Sequence, residues 1–408
     1  MLNWRDTKYY QDLRMNIHAM APSKAKRIIN IGVIGCGCIA ENHVFSLSLI
    51  ENNARKLWDN LDQKIKPRLH ALADIDNEAL DGFAQHFPVK KLYRGPRCGM
   101  ELIEDPEIHA VFVLVPTVDH LDYVLAAARA GKHVFCEKPL AFTPTDVMKM
   151  IEARDKYGVI IQAGLVFRSA PQISFLRHLL QQVGETWGAP TNIIFRDSQE
   201  KPYKGQEEVH NSTWRGFKEK AHAGILFEHT IHDIDGLISI FGKVHDVFAR
   251  INYHAGREGI EDSVAAIISF KEGPNLSVNS MWNDIDFSER RMEIFFENAC
   301  VMVTVDERAS KAVDIKYKYL NEPERKPDDE EMFEFFKKKM GMENLSQEIP
   351  GPYYYEDVRF IDAIVHGTPA KVTLEHGLYV QQVIEACYTS NRRNAIVDVD
   401  TYIHESSI

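Results

Sequence analysis

Arg27-Ile-Ile-Asn-Ile-Gly-Val-Ile34-Gly35-Cys36-Gly37-Cys38-Ile39-Ala40 is the stretch that decides the fold of this 408-residue chain. Arg27 to Ile34 is an apolar-rich run of strand length, closed by glycine, and a helical stretch begins at about Ile39. Between them, Gly35 to Ala40 fits G-x-G-x-x-A. The first glycine permits the tight turn, the second lets backbone approach a pyrophosphate, and the small third residue lets helix and strand pack closely. The N–H groups of Cys38, Ile39 and Ala40 at the helix start are suited to phosphate oxygens. A bare glycine match is weak; its strand–turn–helix context makes this one a dinucleotide site.

Working outward, strands and helices alternate. Leu69–Ala73 is a second strand ending at Asp74, Asn77–Phe87 a helix and Lys90–Tyr93 a short third strand. Ala110–Val115 is a fourth strand, nearly all apolar, as a doubly covered parallel strand should be. Asp119–Ala130 is a helix stopped by Gly131, and His133–Cys136 a fifth strand. Thr143-Pro144 opens another helix, and Val159–Ala163 is a sixth strand. Such alternation predicts a parallel, doubly wound sheet, an α/β Rossmann-type domain. Its ligands belong at the carboxyl ends of the strands. There, Asp74 is placed to accept ribose hydroxyls and repel a 2′-phosphate, which favours NAD over NADP; capping of the next turn is the competing role. A polar stretch, Glu51 to Lys66, lengthens the first crossover. Pro116, Thr117 and His120 end the fourth strand and should flank the cofactor, whereas His43, in the first helix, reads as a structural histidine.

Beyond Phe167 the pattern changes to one helix, Ile173–Gln182, and a series of strands: 191–195, 244–251, 263–270, 276–281, 291–296 and 300–305. These predict an α+β C-terminal domain with a large, mostly antiparallel sheet. Helices at 356–365 and 374–390 close the chain, and the Lys-, Glu- and Asp-rich stretch 305–350 reads as an exposed insertion. The expected division is an N-terminal extension at 1–26, an NAD-binding domain at 27–167, and a substrate and oligomerisation domain at 168–408.

A formal net charge of −11 and a pI near 5.9 argue against nucleic acid or an anionic membrane as partner. Six cysteines without paired spacing suit reduced thiols and a cytoplasmic protein. No segment has the apolar length to cross a bilayer, and the N-terminus lacks the apolar stretch of a secretion signal.

Two further features carry chemistry. Glu137-Lys138-Pro139 places a lysine where the fifth strand ends and proline turns the chain. In the second domain, Gly224-Ile-Leu-Phe-Glu228-His229-Thr-Ile-His232-Asp233-Ile-Asp235 reads as a helix with Glu228 and His232 on one face and Asp235 adjoining. A histidine with a carboxylate neighbour suits a general base and its orienter. A metal site built on His229, His232 and carboxylates, and a merely polar helix face, compete with that; without any zinc-type spacing, no metal is expected.

The glycine loop, the Glu-Lys-Pro tripeptide and the carboxylate-x-x-x-His-x-x-Asp helix, in this order, resemble the glucose–fructose oxidoreductase/inositol dehydrogenase (Gfo/Idh/MocA) family of NAD(P)-dependent oxidoreductases. The likeness runs from about Arg27 to Val399 and includes Ala128-Arg-Ala-Gly-Lys-His-Val134, Trp214-Arg215 and Glu385-Ala-Cys-Tyr-Thr-Ser390. It implies that Lys138 is the catalytic lysine and His232 the general base, that Glu228 stands where relatives often have aspartate and bonds substrate or Lys138, and that the Lys138–Pro139 bond is cis. It also implies that Arg168, Trp214 and Arg215 contact substrate, and that Glu137 and Lys138 border the cofactor. The implied substrate is a secondary alcohol of a sugar, inositol or related polyol, and the implied assembly a homodimer or homotetramer through open sheet faces. A lyase or glycosidase working through transient oxidation by NAD would share these residues; a non-catalytic NAD-binding regulator on the same fold is a third reading, against which Lys138 and His232 together argue.

Overall fold

The computed structural model describes residues 27–58, 65–203, 212–285, 288–306, 312–327, 330–331, 334–335, 338 and 351–406. The N-terminal extension, and most of the charged stretch beyond 327, lie outside these residues.

Six parallel strands form the first sheet: β1 (Arg27–Ile34), β2 (Ile65–Asp74), β3 (Lys91–Arg94), β4 (Ala110–Val113), β5 (His133–Glu137) and β6 (Ile161–Gly164). They run in the order β3-β2-β1-β4-β5-β6, the doubly wound arrangement whose crevice opens where the order reverses, between β1 and β4. The crossover helices are α1 (Cys38–Trp58), α2 (Asn77–His86), α3 (Cys98–Glu104), α4 (His120–Arg129) and α5 (Pro144–Tyr157). Their ends follow side-chain chemistry. Asp76 caps α2 by accepting the Glu78 and Ala79 N–H groups, and Thr143 caps α5 ahead of Pro144. The polar stretch after Glu51 is no loop at its start: α1 continues to Trp58.

The second domain begins with α6 (Pro171–Trp187) and β7 (Pro190–Glu200). A π-helical turn, Leu226–Thr230, leads into α7 (Ile231–Phe241). Then come β8 (Val244–Asn252), β9 (Ser263–Phe270), β10 (Asn275–Asn283), β11 (Glu289–Phe296), β12 (Ala299–Asp306) and β13 (Ala312–Tyr319). The chain closes with α8 (Gly351–His366), α9 (Leu374–Arg393), β14 (Val397–Asp398) and α10 (Val399–Ser406). The eight-stranded sheet has the order β13-β12-β11-β7-β10-β9-β8-β14, antiparallel except where β10 pairs with β7. β13 corrects the expectation for 305–350: within that stretch Ala312–Tyr319 is an edge strand paired residue for residue with β12. Its alternation, Val313, Ile315 and Tyr317 against charged neighbours, is a period-2 signal outweighed by composition.

The inner face of the second sheet, including Ile193, Phe195, Ile268, Val278 and Ile294, packs with Leu176, Ile234, Leu237, Val383 and Ile384 of α6, α7 and α9. That core runs without a break into the α4–α5 side of the first sheet. The opposite side of the first sheet is covered by α1 and by α8, whose Tyr354, Phe360 and Ile361 pack against Phe112 and Phe135. Each such buried side chain contributes roughly 1.5–3 kcal/mol. The helix expected at 356–365 therefore leaves the second domain and returns to the first.

Candidate active site

Gly35 has φ +99°, and a Cβ there would meet the Leu114 carbonyl oxygen at 2.7 Å. Its N–H donates to the Ala73 carbonyl at 2.9 Å. A Cβ on Gly37 would find nothing within 4 Å, so the turn is open on the side where α1 begins. Ala40 is fully buried against the sheet. Asp74 ties this turn to the end of β2: Oδ2 accepts the Cys36 N–H at 2.5 Å and Oδ1 the Asp76 N–H at 2.7 Å. Both carboxylate oxygens thus hold backbone, one in the glycine turn and one in the turn that follows β2. Burial and Glu41 push the Cys38 thiol up to about 11, so it adds no negative charge beside a phosphate.

At the carboxyl end of β5 the Lys138–Pro139 bond is cis. Glu137 points away from the crevice. Its Oε2 accepts the Lys138 N–H at 2.9 Å, and its Oε1 lies 3.1 Å from His43 Nε2. His43 Nδ1 lies 2.8 Å from Asp357 on α8. Burial alone would lower His43, but Asp357 and Glu137 outweigh it and hold the ring charged, with a pKa raised to about 10. His120 does not present a ring nitrogen to the crevice. Nδ1 lies 2.8 Å from the Pro139 carbonyl and Nε2 2.9 Å from the Val115 carbonyl, so the ring pins the cis turn to the end of β4.

Lys138 turns its ammonium across to the second domain and donates to the backbone carbonyl of Glu228 at 2.6 Å. Glu228 lies in the π-turn, a deviation from α geometry that is frequent at functional sites. The expected bond between the Glu228 carboxylate and Lys138 is not made: Oε1 accepts from Thr117 Oγ1 at 3.2 Å and Oε2 from Arg215 Nε at 3.0 Å. Arg215 in turn lies over the Trp214 ring at 4.4 Å. Burial, only partly offset by Glu228, brings Lys138 down to about 8.

The start of the π-turn is held by Glu261. Its carboxylate accepts the Gly224 and Leu226 N–H groups at 2.6 and 3.0 Å, and its carbonyl accepts Ile225 N–H at 3.0 Å. Such close approach explains Gly224, where a Cβ would lie 1.9 Å from the Glu261 carbonyl oxygen. His232, one turn on, stacks on Phe167 with ring centroids 5.2 Å apart, and its Nδ1 has no hydrogen-bond partner among the described residues. Burial, then Lys138 and Arg290, hold it neutral, well below the usual imidazole range. The carboxylate expected to adjoin it goes elsewhere: Asp235 is buried in a bidentate pair with Arg168, at 2.7–2.9 Å. Arg168 is thereby committed to α7. This departs from the helical reading because α7 turns Asp235 toward the 3₁₀ turn that carries Arg168.

Residues 29–165 match the model of the oxidoreductase family, NAD-binding Rossmann fold, and residues 195–399 that of its C-terminal alpha/beta domain. The chain belongs to the Gfo/Idh/MocA oxidoreductase family. Myo-inositol 2-dehydrogenase of Thermotoga maritima is 30% identical over 274 residues, 65% of this chain and 72% of that protein. The 1,5-anhydro-D-fructose reductase of Ensifer adhaerens is 32% identical over 175 residues, 42% of this chain and 50% of that one. In fold, levoglucosan dehydrogenase in complex with NADH and L-sorbose superposes with a TM-score of 0.76 at 20% identity, over 91% of this chain and 99% of that one.

This Gfo/Idh/MocA chain is an NAD-binding oxidoreductase of the sugar and inositol type. Its turn fits the cofactor: the open space at Gly37 and the helix start at Cys38 would suit a pyrophosphate, and the acidic end of β2 a ribose. Sequence reasoning missed several residues of the crevice. Asp197 of β7 and Arg290 of β11 both reach His229: Asp197 Oδ2 lies 2.8 Å from Nδ1, and Arg290 Nη2 lies 3.1 Å from Nδ1. Arg290 also lies over Phe167 at 5.0 Å and 3.3 Å from Asp233. A buried Asp and Arg at inward strand positions were the available signal, since charges there require partners. Among the described residues, the ligand-type sets that draw together are His43–Glu137–Glu356 and His70–Asp105–Glu107, and neither includes His229 or His232.

Proposed function

We propose that this enzyme transfers hydride between a secondary alcohol of a sugar, inositol or related polyol and NAD, giving a keto-sugar or keto-cyclitol. The carrying observation is the Lys138 ammonium, bound at 2.6 Å to the Glu228 carbonyl in the same segment that presents neutral His232. NAD at the glycine turn supplies the hydride acceptor. His232 takes the hydroxyl proton, for which a neutral ring is required. Lys138 donates to the same oxygen as carbonyl character develops, an interaction typically worth about 3–4 kcal/mol. Glu228 is a positioning residue: its carbonyl aims Lys138, and its carboxylate joins Thr117 of the first domain to Arg215 of the second. Arg168 and Trp214 support this arrangement from beneath, Arg168 through Asp235 and Trp214 through Arg215.

Assembly as a homodimer or homotetramer is part of the same reading. Ile194 and Ile267 stand in one cross-strand row of the outer sheet face, 40% and 45% exposed, with Met281 at 38% on the same face. The six free thiols suit a cytoplasmic setting. A panel of sugars and inositols, followed through the absorbance of reduced nicotinamide, tests the function: turnover with at least one polyol supports it, and silence across the panel overturns it. Transient oxidation without net redox change draws support from the Asp197–His229 pair; there product forms while reduced nicotinamide does not accumulate.

A further inference from the structure

Hydride transfer from an alcohol needs one proton acceptor, and His232 meets that need. The crevice nevertheless holds a second imidazole, built more elaborately than the first. His229 sits directly after Glu228, whose carbonyl holds Lys138, and its side chain is 28% exposed. Its Nδ1 lies 2.8 Å from Asp197 Oδ2, and Asp197 has no solvent exposure. The other Asp197 oxygen accepts Gln199 Nε2 at 2.9 Å, so the carboxylate is fixed from both sides. That bond leaves Nε2 as the ring atom turned away from Asp197, with Arg290 Nη2 lying 3.3 Å from it. A base oriented through its far nitrogen by a buried carboxylate is the arrangement used for proton abstraction. Arg290 links the two histidines: it lies over Phe167, the ring on which His232 stacks, and reaches His229.

We propose that His229 is a second acid–base residue, which removes a proton from the carbon adjacent to the carbonyl that oxidation creates. The idea rests on the hydride-transfer reading above. In the step, His229 Nε2 takes the proton, and the C–H electron pair becomes the C=C bond of an enediol. The carbonyl π pair moves to oxygen, where the Lys138 ammonium donates. Return of a proton from the ring restores the ketone, so no oxidant or reductant is consumed. A ketone flanked by C–H bonds, as in a sugar or cyclitol, is the substrate class that permits this. Asp197 is a positioning residue for it.

The test is solvent exchange. A ketone, 2-keto-myo-inositol first and then the product of the best polyol in the panel, is incubated in D2O with the enzyme and oxidised NAD. No hydride donor is present, so proton chemistry is isolated from redox. Deuterium at the neighbouring carbons is read by NMR against a blank without enzyme. The expected result is uptake above the blank, falling at least tenfold in His229→Gln and also falling in Asp197→Asn, with the loss of exchange in His229→Gln at least tenfold larger than any loss in its polyol-dependent reduction of NAD. His229→Asn replaces the glutamine variant if that one does not fold. Reduction without exchange, or exchange unchanged in the folded variant, overturns this proposal alone. Equal loss of exchange and reduction assigns His229 a structural role and also overturns it. Failure of every polyol to reduce NAD overturns the hydride-transfer reading, and this one with it.

Discussion

His43 and His232 stand on opposite sides of the same loop, and burial drives both toward neutrality. Their neighbours decide otherwise. Around His43 are two carboxylates, and the ring stays charged, with a pKa near 10. Around His232 are Lys138, Arg290 and Arg215, and the ring stays neutral. Glu137-Lys138 divides the two environments: adjacent side chains diverge, the anion to the structural side and the cation to the crevice. A dipeptide at a strand end thus builds an ion pair on one side and helps to keep an imidazole neutral on the other.

The strongest way to break this contrast is to remove the crevice side. His232→Asn and Lys138→Ala should each lower kcat by roughly 10²–10⁴-fold, with little change in NAD affinity, measured by steady-state kinetics and cofactor titration. Near-normal turnover in both would end the assignment. Removing the structural side should do the reverse. His43→Asn leaves Glu137 and Asp357 buried without their cation and should cost about 3–5 kcal/mol in urea unfolding. The sign with pH follows. A folded pKa raised to about 10 from an unfolded value near 6.5 contributes stability that is full below about 6.5 and gone above about 10. The wild type should therefore lose stability across that window, and His43→Asn should lose less.

Gly224→Ala sharpens the contrast from the backbone. Its methyl collides with Glu261 at the start of the π-turn, and a loss of about 1–3 kcal/mol, with a fall in kcat, is expected in thermal unfolding and activity assays. The smallest effect is in the pH profile. Lys138 near 8 implies an alkaline limb with half-maximal kcat close to pH 8, while His232, held well below its usual range, puts no acid limb in the ordinary imidazole range. A limb near pH 10 would contradict the desolvated lysine.

The first domain was legible because its signals are local. Strand period, glycine spacing and a cap such as Thr143-Pro144 are contained in short windows, and the strand order followed the doubly wound rule. The candidate site was legible as residues that the fold draws together, less so as a set of bonds. Lys138, Glu228 and His232 lie in one crevice, yet Glu228 bonds through its carbonyl to Lys138 and Asp235 is paired with Arg168. Those choices depend on a π-turn that no spacing rule announces and on Glu261, 33 positions beyond Glu228. His43 and Asp357 are 314 residues apart, a pairing that local pattern cannot reveal. β13 was hidden by the charges that make it a soluble edge.

The return of α8 to the first sheet has a consequence for how this molecule is made. Phe112 and Phe135 are covered by Phe360, which the ribosome adds more than 200 residues after Phe135. The nucleotide-binding half therefore emerges first and is finished last. Until the tail arrives, an apolar face waits without its cover and His43 without Asp357, so a fragment cut at the domain boundary inherits an exposed wall in place of a working half-enzyme.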